Sequence, residues 1–392
     1  MNDSRMSVLF ILNEPAIFNS ESRAREHMRA YAREIGVLHV LSRGSGPDYH
    51  EDLGDGKSLT LHAIDWTKWS GKPPFLFKTL RMCAHKIIQD EHIEIVSAEN
   101  PFEYGFVALK AIKGTNAKLH VQVYTDPFSK WFTRVKIIYS SEVKIPAINR
   151  VRQSIANRVL PKAHGIRVVS KRVEDSLIAR FGNRIVAPHV IPVEIPTEIP
   201  PQLPLPPHTS TFTLITISRL EPEKRIQDIL LALARIHRRY PSAGVVIVGE
   251  GSQRKNLEKY AKRLELNEKV KFLGHIDNAW GMMPSAQAYI QASGYEGYSR
   301  TLIEAALARI PIITSDVGLV GEVFKGYEEV LAVPPGDPSA LATAIIGLIE
   351  DNEARTQYVI NAEKAVREYL ANTHVSPADI AQDLRNTLTP ST

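Results

Sequence analysis

Residues 211–334 hold six short apolar runs, at 211–218, 245–249, 270–274, 288–293, 310–315 and 329–334, each set apart from the next by a longer stretch. The first intervening stretch places Ile226, Ile229, Leu230, Leu233 and Ile236 on a 3.6-residue period, the spacing of one helical face. The runs are continuously apolar rather than alternating, so each strand must be covered on both faces. Strands of that kind separated by helices predict a doubly wound α/β domain with a parallel sheet. The first half repeats the pattern less cleanly, with candidate strands at 7–12, 37–41, 93–97, 119–124 and 166–170.

Between the halves, Pro192 to Pro207 contains seven prolines in sixteen residues. None can donate to a helix or a sheet ladder, so the stretch reads as an extended, semi-rigid linker between two packed bodies. The expected organisation is an N-terminal domain over 1–191, a linker over 192–210, a C-terminal domain over 211–374, and a last helix in 375–392 that returns to the first domain. In such open sheets, ligands sit at the carboxyl ends of the strands, which places a cleft between two facing domains.

Composition sets the outer limits. A chain of 392 residues, 44% hydrophobic and 23% charged, is globular, which excludes disorder, collagen-like repeats and a membrane-embedded bundle. The lone Cys83 excludes an internal disulfide and a cysteine-based metal cluster, and fits a reducing compartment. The opening apolar stretch stops at Asn13 and Glu14, too short for a signal peptide, and reads as a buried first strand. No apolar run approaches the roughly 18 residues that span a bilayer. A cytoplasmic location is the expectation. Basic residues exceed acidic ones by only five, but residues 125–185 carry thirteen Lys/Arg against four Asp/Glu. Two readings of this segment stay open: a solvated helix face, or a surface resting on anionic lipid at the inner face of the plasma membrane. Nucleic acid is not indicated, because no reader motif accompanies the charge.

Three motifs carry chemistry. The first is SRLEPEKR after the 211–218 run, which puts Arg219 and Lys224 on a strand-to-helix loop where cations and helix amides can meet a diphosphate. The second is Gly249-Glu250-Gly251 at the end of a strand, either a close approach of backbone to a ligand or a plain tight turn. It is not the G-x-G-x-x-G of dinucleotide enzymes, so hydride transfer lacks its usual signature. The third is Glu296 and Glu304, eight apart, flanking Gly297, Tyr298, Ser299, Arg300 and Thr301 at a helix start. Amides there form an anion site, and a carboxylate beside it can bind sugar hydroxyls or stabilise an oxocarbenium-like centre. Taken alone, either glutamate reads better as a helix cap or a solvated side chain. No D-x-D occurs, so nothing suggests a metal held by carboxylates.

Taken together, R-x4-K, GEG, F-x-G and E-x7-E followed by PIITSDVG resemble the nucleotide-binding half of retaining glycosyltransferases of family 4. The resemblance is close over about 212–345 and implies a GT-B fold. It implies that Arg219 and Lys224 bind the donor diphosphate and that Glu296 lies by the transferred sugar. It further implies that Glu304 holds the ribose and that the segment from Leu273 through His275 and Ile276 lies against the base, with Gly249 and Glu250 also on the donor. Catalysis without metal or cofactor, on a nucleotide-diphosphate-sugar, is part of the same implication. In the first half, SAENPFEYGFVA (97–108), KLHVQVYTDPFSKWF (118–132) and HGIRVVSKRVEDSL (164–177) look like the acceptor side, where Asn13, Glu14, Glu103 and Tyr124 are the candidate residues. Two departures stand out. The first loop, ILNEPAIFNSES, lacks the glycines that usually admit a donor phosphate, and Tyr124 stands where many members carry a histidine after the fifth strand. Tyrosine donates a hydrogen bond but is a poor base near neutral pH, which leaves Asp126 or His120 as substitutes, His120 reading rather as a structural strand residue.

The expected function is transfer of a sugar, with retention, to a hydroxyl of a glycan or lipid-linked acceptor in cell-surface polysaccharide or glycolipid synthesis. The alternatives are another enzyme of this fold, such as a phosphorylase or an epimerase, and a non-catalytic sugar-nucleotide-binding partner. No lysine placed for pyridoxal phosphate is recognisable, and E-x7-E speaks against the epimerase.

Overall fold

The computed structural model describes residues 5–65, 73–132, 135–136, 143–144, 147–195, 198–206, 210–325, 328–373 and 375–389. In chain order the elements begin β1 (Met6–Ile11), α1 (Arg23–Ile35), β2 (Gly36–Arg43), β3 (Tyr49–Gly54), β4 (Lys57–Ile64), α2 (Pro73–Asp90), β5 (Ile95–Ala98), α3 (Glu103–Ala111) and β6 (Lys118–Val123). Then come β7 (Val135–Lys136), β8 (Val143–Lys144), α4 (Ala147–Val159), β9 (Gly165–Val168), α5 (Lys171–Phe181) and β10 (His189–Val190). The remainder is β11 (Phe212–Ile217), α6 (Ile226–Ile236), β12 (Ala243–Val248), α7 (Arg254–Arg263), β13 (Val270–Gly274), β14 (Ala288–Gln291), α8 (Arg300–Leu307), β15 (Ile312–Ser315), β16 (Leu331–Val333), α9 (Pro338–Glu350), α10 (Asn352–Asn372) and α11 (Pro377–Leu388).

The chain divides into two compact units. The first comprises Met1–Phe128, Ala147–Pro192 and Val375–Thr392, and the second Ser129–Pro146 and Val193–His374. Each is a Rossmann-like parallel sheet with helices.

In the first unit eight strands run in the order β10-β9-β6-β5-β1-β2-β4-β3. All pairs are parallel except β3 with β4, a hairpin closed by Asp55-Gly56. Both turn residues have positive φ, 52° and 69°, the geometry that suits the right-handed twist of the flanking strands. Helix α1 starts where the Ser22 hydroxyl accepts from the Arg25 amide. Helix α11 adds Ile380, Ala381 and Leu384 to the core formed by Val8, Phe10, Ile35 and Leu38. Its Pro377 occupies the first turn, and the Asp379 carboxylate accepts from the Ser376 amide at 2.7 Å.

In the second unit six parallel strands run β13-β12-β11-β14-β15-β16. Numbered within the sheet this is 3-2-1-4-5-6, the doubly wound order whose switch point lies between β11 and β14. Strand β12, Ala-Gly-Val-Val-Ile-Val, is buried throughout, as a strand covered on both faces must be. Helix α6 turns Ile226, Ile229, Leu230, Leu233 and Ile236 inward, and all five are buried. The proline-rich stretch lies against the turn Ala279–Ser285 of this unit: Leu203 N donates to Gly281 O at 2.8 Å, and Gln202 Nε2 to Ser285 Oγ at 3.0 Å. Among the described residues no helix is long and apolar enough to cross a membrane.

Candidate functional site

A cavity of about 480 Å³ opens over the carboxyl ends of β11, β12 and β13 and reaches the start of α8. Its walls include Ser218, Arg219, Gly249, Glu250, His275, Ile276, Trp280, Arg300, Thr301 and Glu304. It lies at the carboxyl ends of the strands, beside the switch point, the end of an open sheet where ligands bind.

The loops that frame the cavity interlock through glycine. Gly249 has φ +135°, and a Cβ there would sit 1.9 Å from the Ser218 carbonyl oxygen. A Cβ on Gly251 would stand 2.5 Å from Leu220 O. Leu220 N donates to Glu250 O at 2.7 Å. The two glycines therefore let the β12–α7 loop lie directly on the β11–α6 loop, so the close approach is backbone to backbone. Gly318 does the same for the start of α8, since a Cβ there would meet Ser299 Oγ at 2.2 Å. Ser299 itself holds φ 72°, a left-handed conformation that bends the chain into the helix.

Arg219 is exposed at the rim and bonds Glu223 Oε1 at 3.2 Å. Glu304 lies in the second turn of α8, 5% exposed, and its Oε1 accepts from Arg300 Nε at 2.7 Å. A buried carboxylate facing a cavity with one neutralising guanidinium can bind hydroxyl groups. Glu250 pairs with Arg254, and His275 Nε2 lies 3.1 Å from Asp277 Oδ1. The Thr301 hydroxyl is committed to Tyr289 and Gln291, which leaves its amide, with those of its neighbours, at the α8 N-terminus. Tyr298 is buried, its hydroxyl 3.1 Å from that of Tyr369, and burial with this neighbour pushes its pKa up. Its role is in the packing of α8 on α10. Gly297 lies on the same β14–α8 loop.

Lys224 and Glu296 do not line this cavity. Lys224 Nζ donates to Glu296 Oε1 at 2.5 Å, and Ser293 Oγ donates to the same oxygen at 2.7 Å. Lys224 follows β11 and Glu296 follows β14, so the pair stands over the switch point, with side chains 16% and 14% exposed. The sequence reading puts one on the diphosphate and the other on the sugar; the structure joins them.

In the first unit, Tyr124 donates from its hydroxyl to Gln122 Oε1 at 2.6 Å and accepts from Arg167 at 3.3 Å. Desolvation of that hydroxyl pushes its pKa up, only partly offset by Arg167, so the phenol is a weaker acid and scarcely ionised near neutral pH. Asp126 Oδ1 accepts from Phe128 N and Ser176 Oγ, both at 2.8 Å, and so organises its own loop. His120 is fully buried between Ser97 Oγ and Asp383 Oδ2, each at 2.9 Å, and Asp383 also binds His189. Glu14 caps the turn Pro15–Phe18, and Glu103 binds Arg152 Nε at 2.7 Å. Asn13 donates its amide to Glu99 Oε2 at 2.8 Å.

Glu99, which the sequence reading did not single out, stands where open sheets of this kind bind ligands. It ends β5 beside the end of β1, at the switch point of the first sheet, and burial raises its pKa. A carboxylate at the end of the run Ile-Val-Ser-Ala was the available signal. Arg167 was counted with the surface cations of 125–185, but it is 4% exposed and donates to Ile191 O, Pro192 O and Gln122 Oε1. Part of that segment lies outside the described residues.

Two Rossmann-like units of this design define the class: the fold is GT-B, that of glycosyltransferases. Sucrose-phosphate synthase from Thermosynechococcus elongatus superposes with TM-score 0.73 over 97% of this chain and 98% of its own, at 18% identity. Anabaena Alr3699/HepE in complex with UDP-glucose does so with TM-score 0.65 over 98% and 99%, at 20% identity. Residues 204–365 match the family described as Glycosyl transferases group 1. Mycobacterium tuberculosis glycogen synthase is 31% identical over 150 residues, which is 38% of this chain and 36% of that enzyme. Phosphatidyl-myo-inositol mannosyltransferase of Mycolicibacterium smegmatis is 31% identical over 152 residues, 38% of this chain and 39% of that one. The match thus spans little more than a third of these curated relatives.

Proposed function

We propose that the protein is a retaining, metal-independent glycosyltransferase of family 4 that moves a sugar from a nucleotide-diphosphate-sugar to a hydroxyl of a glycan or lipid-linked acceptor. The observation that carries this reading is the cavity over β11–β13. It combines Arg219, Arg300 and the α8 amides, suited to a diphosphate, with the buried carboxylate of Glu304, suited to ribose hydroxyls. The relatives, a glycogen synthase and a phosphatidyl-myo-inositol mannosyltransferase, and a neighbour in complex with UDP-glucose point the same way.

In the proposed reaction the sugar–phosphate bond breaks first, with Arg219, Lys224 and the α8 amides taking up the growing charge. The acceptor hydroxyl attacks the oxocarbenium-like carbon from the face the phosphate leaves, and its proton passes to the departing phosphate oxygen. Glu296 stands beside that carbon once the donor has drawn Lys224 toward the diphosphate. Tyr124 and Asp126 belong to the acceptor side of this scheme.

Helix α4 exposes Ile148 and Val151 beside the exposed Arg150, an arrangement that fits the surface of an anionic membrane. Binding to phosphatidylserine vesicles should weaken with salt and with charge reversal at Arg150 and Arg158, while nucleotide affinity is unchanged. The decisive experiment is a thermal-shift panel of UDP-, GDP- and ADP-sugars, followed by anomeric analysis of the product. A donor that raises the melting point and yields a retained linkage supports the reading. Inverted product, or no stabilisation by any sugar nucleotide, overturns it.

A further inference from the structure

We propose that Trp131 and Phe132 are positioning residues that fix the Lys224–Glu296 pair, a role that rests on the transfer site proposed above. Both belong to the stretch Ser129–Pro146, which departs from the first unit after Phe128 and is part of the second. The Trp131 ring lies 5.0 Å from the guanidinium carbon of Arg225. Arg225 directly follows Lys224. It is 3% exposed, has φ 51°, and donates from Nε to Asp228 Oδ2 at 2.7 Å. A non-glycine residue held in the left-handed region at the start of a helix stays there only when its surroundings over-determine it. The indole is a large part of those surroundings.

Two glycines make room for it. A Cβ on Gly336 would come within 2.8 Å of Trp131 Cη2, and one on Gly294 within 3.4 Å of Trp131 Cβ and 3.1 Å of Arg225 Cδ. Phe132, 3% exposed, packs its ring 5.5 Å from that of Tyr295, the residue before Glu296. Gly294 N donates to Glu223 O at 2.8 Å, tying together the two loops from which the pair projects. The aromatic side chains therefore press on the chain neighbours of both ion-pair members.

The consequence is mechanical. A lysine and a glutamate on free loops would each sample several rotamers and loop positions. Packing that locks both backbones holds the charges where a reacting sugar needs them. A misplacement of about 1 Å at such a centre can lower turnover roughly a hundredfold without weakening contacts to the rest of the ligand.

The test uses the full chain, the nucleotide found to bind best among UDP, GDP and ADP, and its sugar conjugate, with water as acceptor if no other is known. Trp131→Ala should weaken binding of the bare nucleoside diphosphate, through the displaced Lys224, by a clearly smaller factor than the roughly ten- to hundredfold by which it slows turnover of the sugar nucleotide. Trp131→Phe, which keeps a ring over Arg225, should recover most of the rate. Phe132→Leu keeps apolar volume, folds more readily, and should show a smaller loss of the same kind. Full turnover in Trp131→Ala and Phe132→Leu overturns the proposal, as does equal loss of nucleotide affinity and turnover without rescue by Phe. Glu296→Gln is run beside them: if it keeps full turnover, the transfer site itself is misassigned, whereas a slow Glu296→Gln with a fast Trp131→Ala removes only the aromatic strap.

Discussion

Lys224 Nζ and Glu296 Oε1 meet at 2.5 Å across 72 residues of sequence, over the point where the second sheet reverses its strand order. Each charge is thus answered by the other, and in the proposed transfer a diphosphate competes with Glu296 for Lys224. In that proposal the lysine acts on charge present in the ground state and growing in the transition state. The carboxylate faces positive charge that appears only as the bond breaks.

That difference separates two variants. Glu296→Gln should lower kcat by about a hundredfold with a smaller effect on donor affinity, while Lys224→Ala should weaken donor binding and slow turnover together. Because the two groups share one hydrogen bond, their effects on unfolding free energy should not add. A coupling of about 0.5–3 kcal/mol is expected in a double-mutant cycle by denaturant unfolding. Additive effects would mean that the pair does not persist in solution.

Glu304 calls for a different signature. It is buried against Arg300, and the ribose it is assigned to does not change during reaction. Glu304→Gln should raise the donor KM roughly tenfold or more, the scale of a lost hydrogen bond to a charged group, with kcat little altered. Steady-state kinetics decides between this and a role at the reacting carbon, which would lower kcat instead.

Much of the fold was legible because its signals are local. The continuous apolar run at β12 and the 3.6-residue period of α6 describe their own burial, and both elements are found where those patterns lie. The β3–β4 hairpin was missed although Asp55-Gly56 advertises its turn, because its strands are half exposed and lack a continuous apolar run. The site divides in the same way. The motifs around Arg219, Gly249 and Glu304 sit on successive strand ends of one sheet, so their convergence on one cavity follows from topology. The pairing of Lys224 with Glu296 and the stacking of Trp131 on Arg225 depend on loop conformations, which no residue spacing encodes. Arg167 shows the converse error: a cation read as surface charge is buried because four acceptors, two of them backbone carbonyls, lie within its reach.

Gly249→Ala tests the interlocked loops. The added Cβ would face Ser218 O at 1.9 Å from a backbone with φ +135°, so the β12–α7 loop must move. The expected result is a destabilisation of roughly 2–4 kcal/mol together with lost nucleotide affinity, since Ser218 and Gly249 both line the cavity. Chemical denaturation and calorimetry measure the two effects. A variant of parental stability would show that the loops are not locked as described.

The first unit should lose stability on acidification in two separable steps. His39 is buried on β2, and burial lowers its pKa to about 4, with His62 and His50 adding to the shift and Asp48 opposing it. Its ring bonds His62 Nε2 at 3.1 Å, and Glu91 lies 3.8 Å away on the other side. The unfolded chain, with an ordinary histidine pKa near 6.5, binds the proton first, so stability rises with pH between about 4 and 6.5 and falls as pH drops through that window. The whole step is at most about 3 kcal/mol. Asp383 acts lower. Burial alone would raise its pKa, but hydrogen bonds from His120 and His189 outweigh this and hold it below the usual carboxylate value. Its contribution is present above about pH 4 and is lost as pH falls through the depressed folded value, when α11 loses its hold on β6 and β10. Urea unfolding from pH 3 to 7 should therefore show His39→Gln flattening the upper step alone and Asp383→Asn the lower one alone. If either substitution leaves its step intact, the titrating group lies elsewhere in the unit.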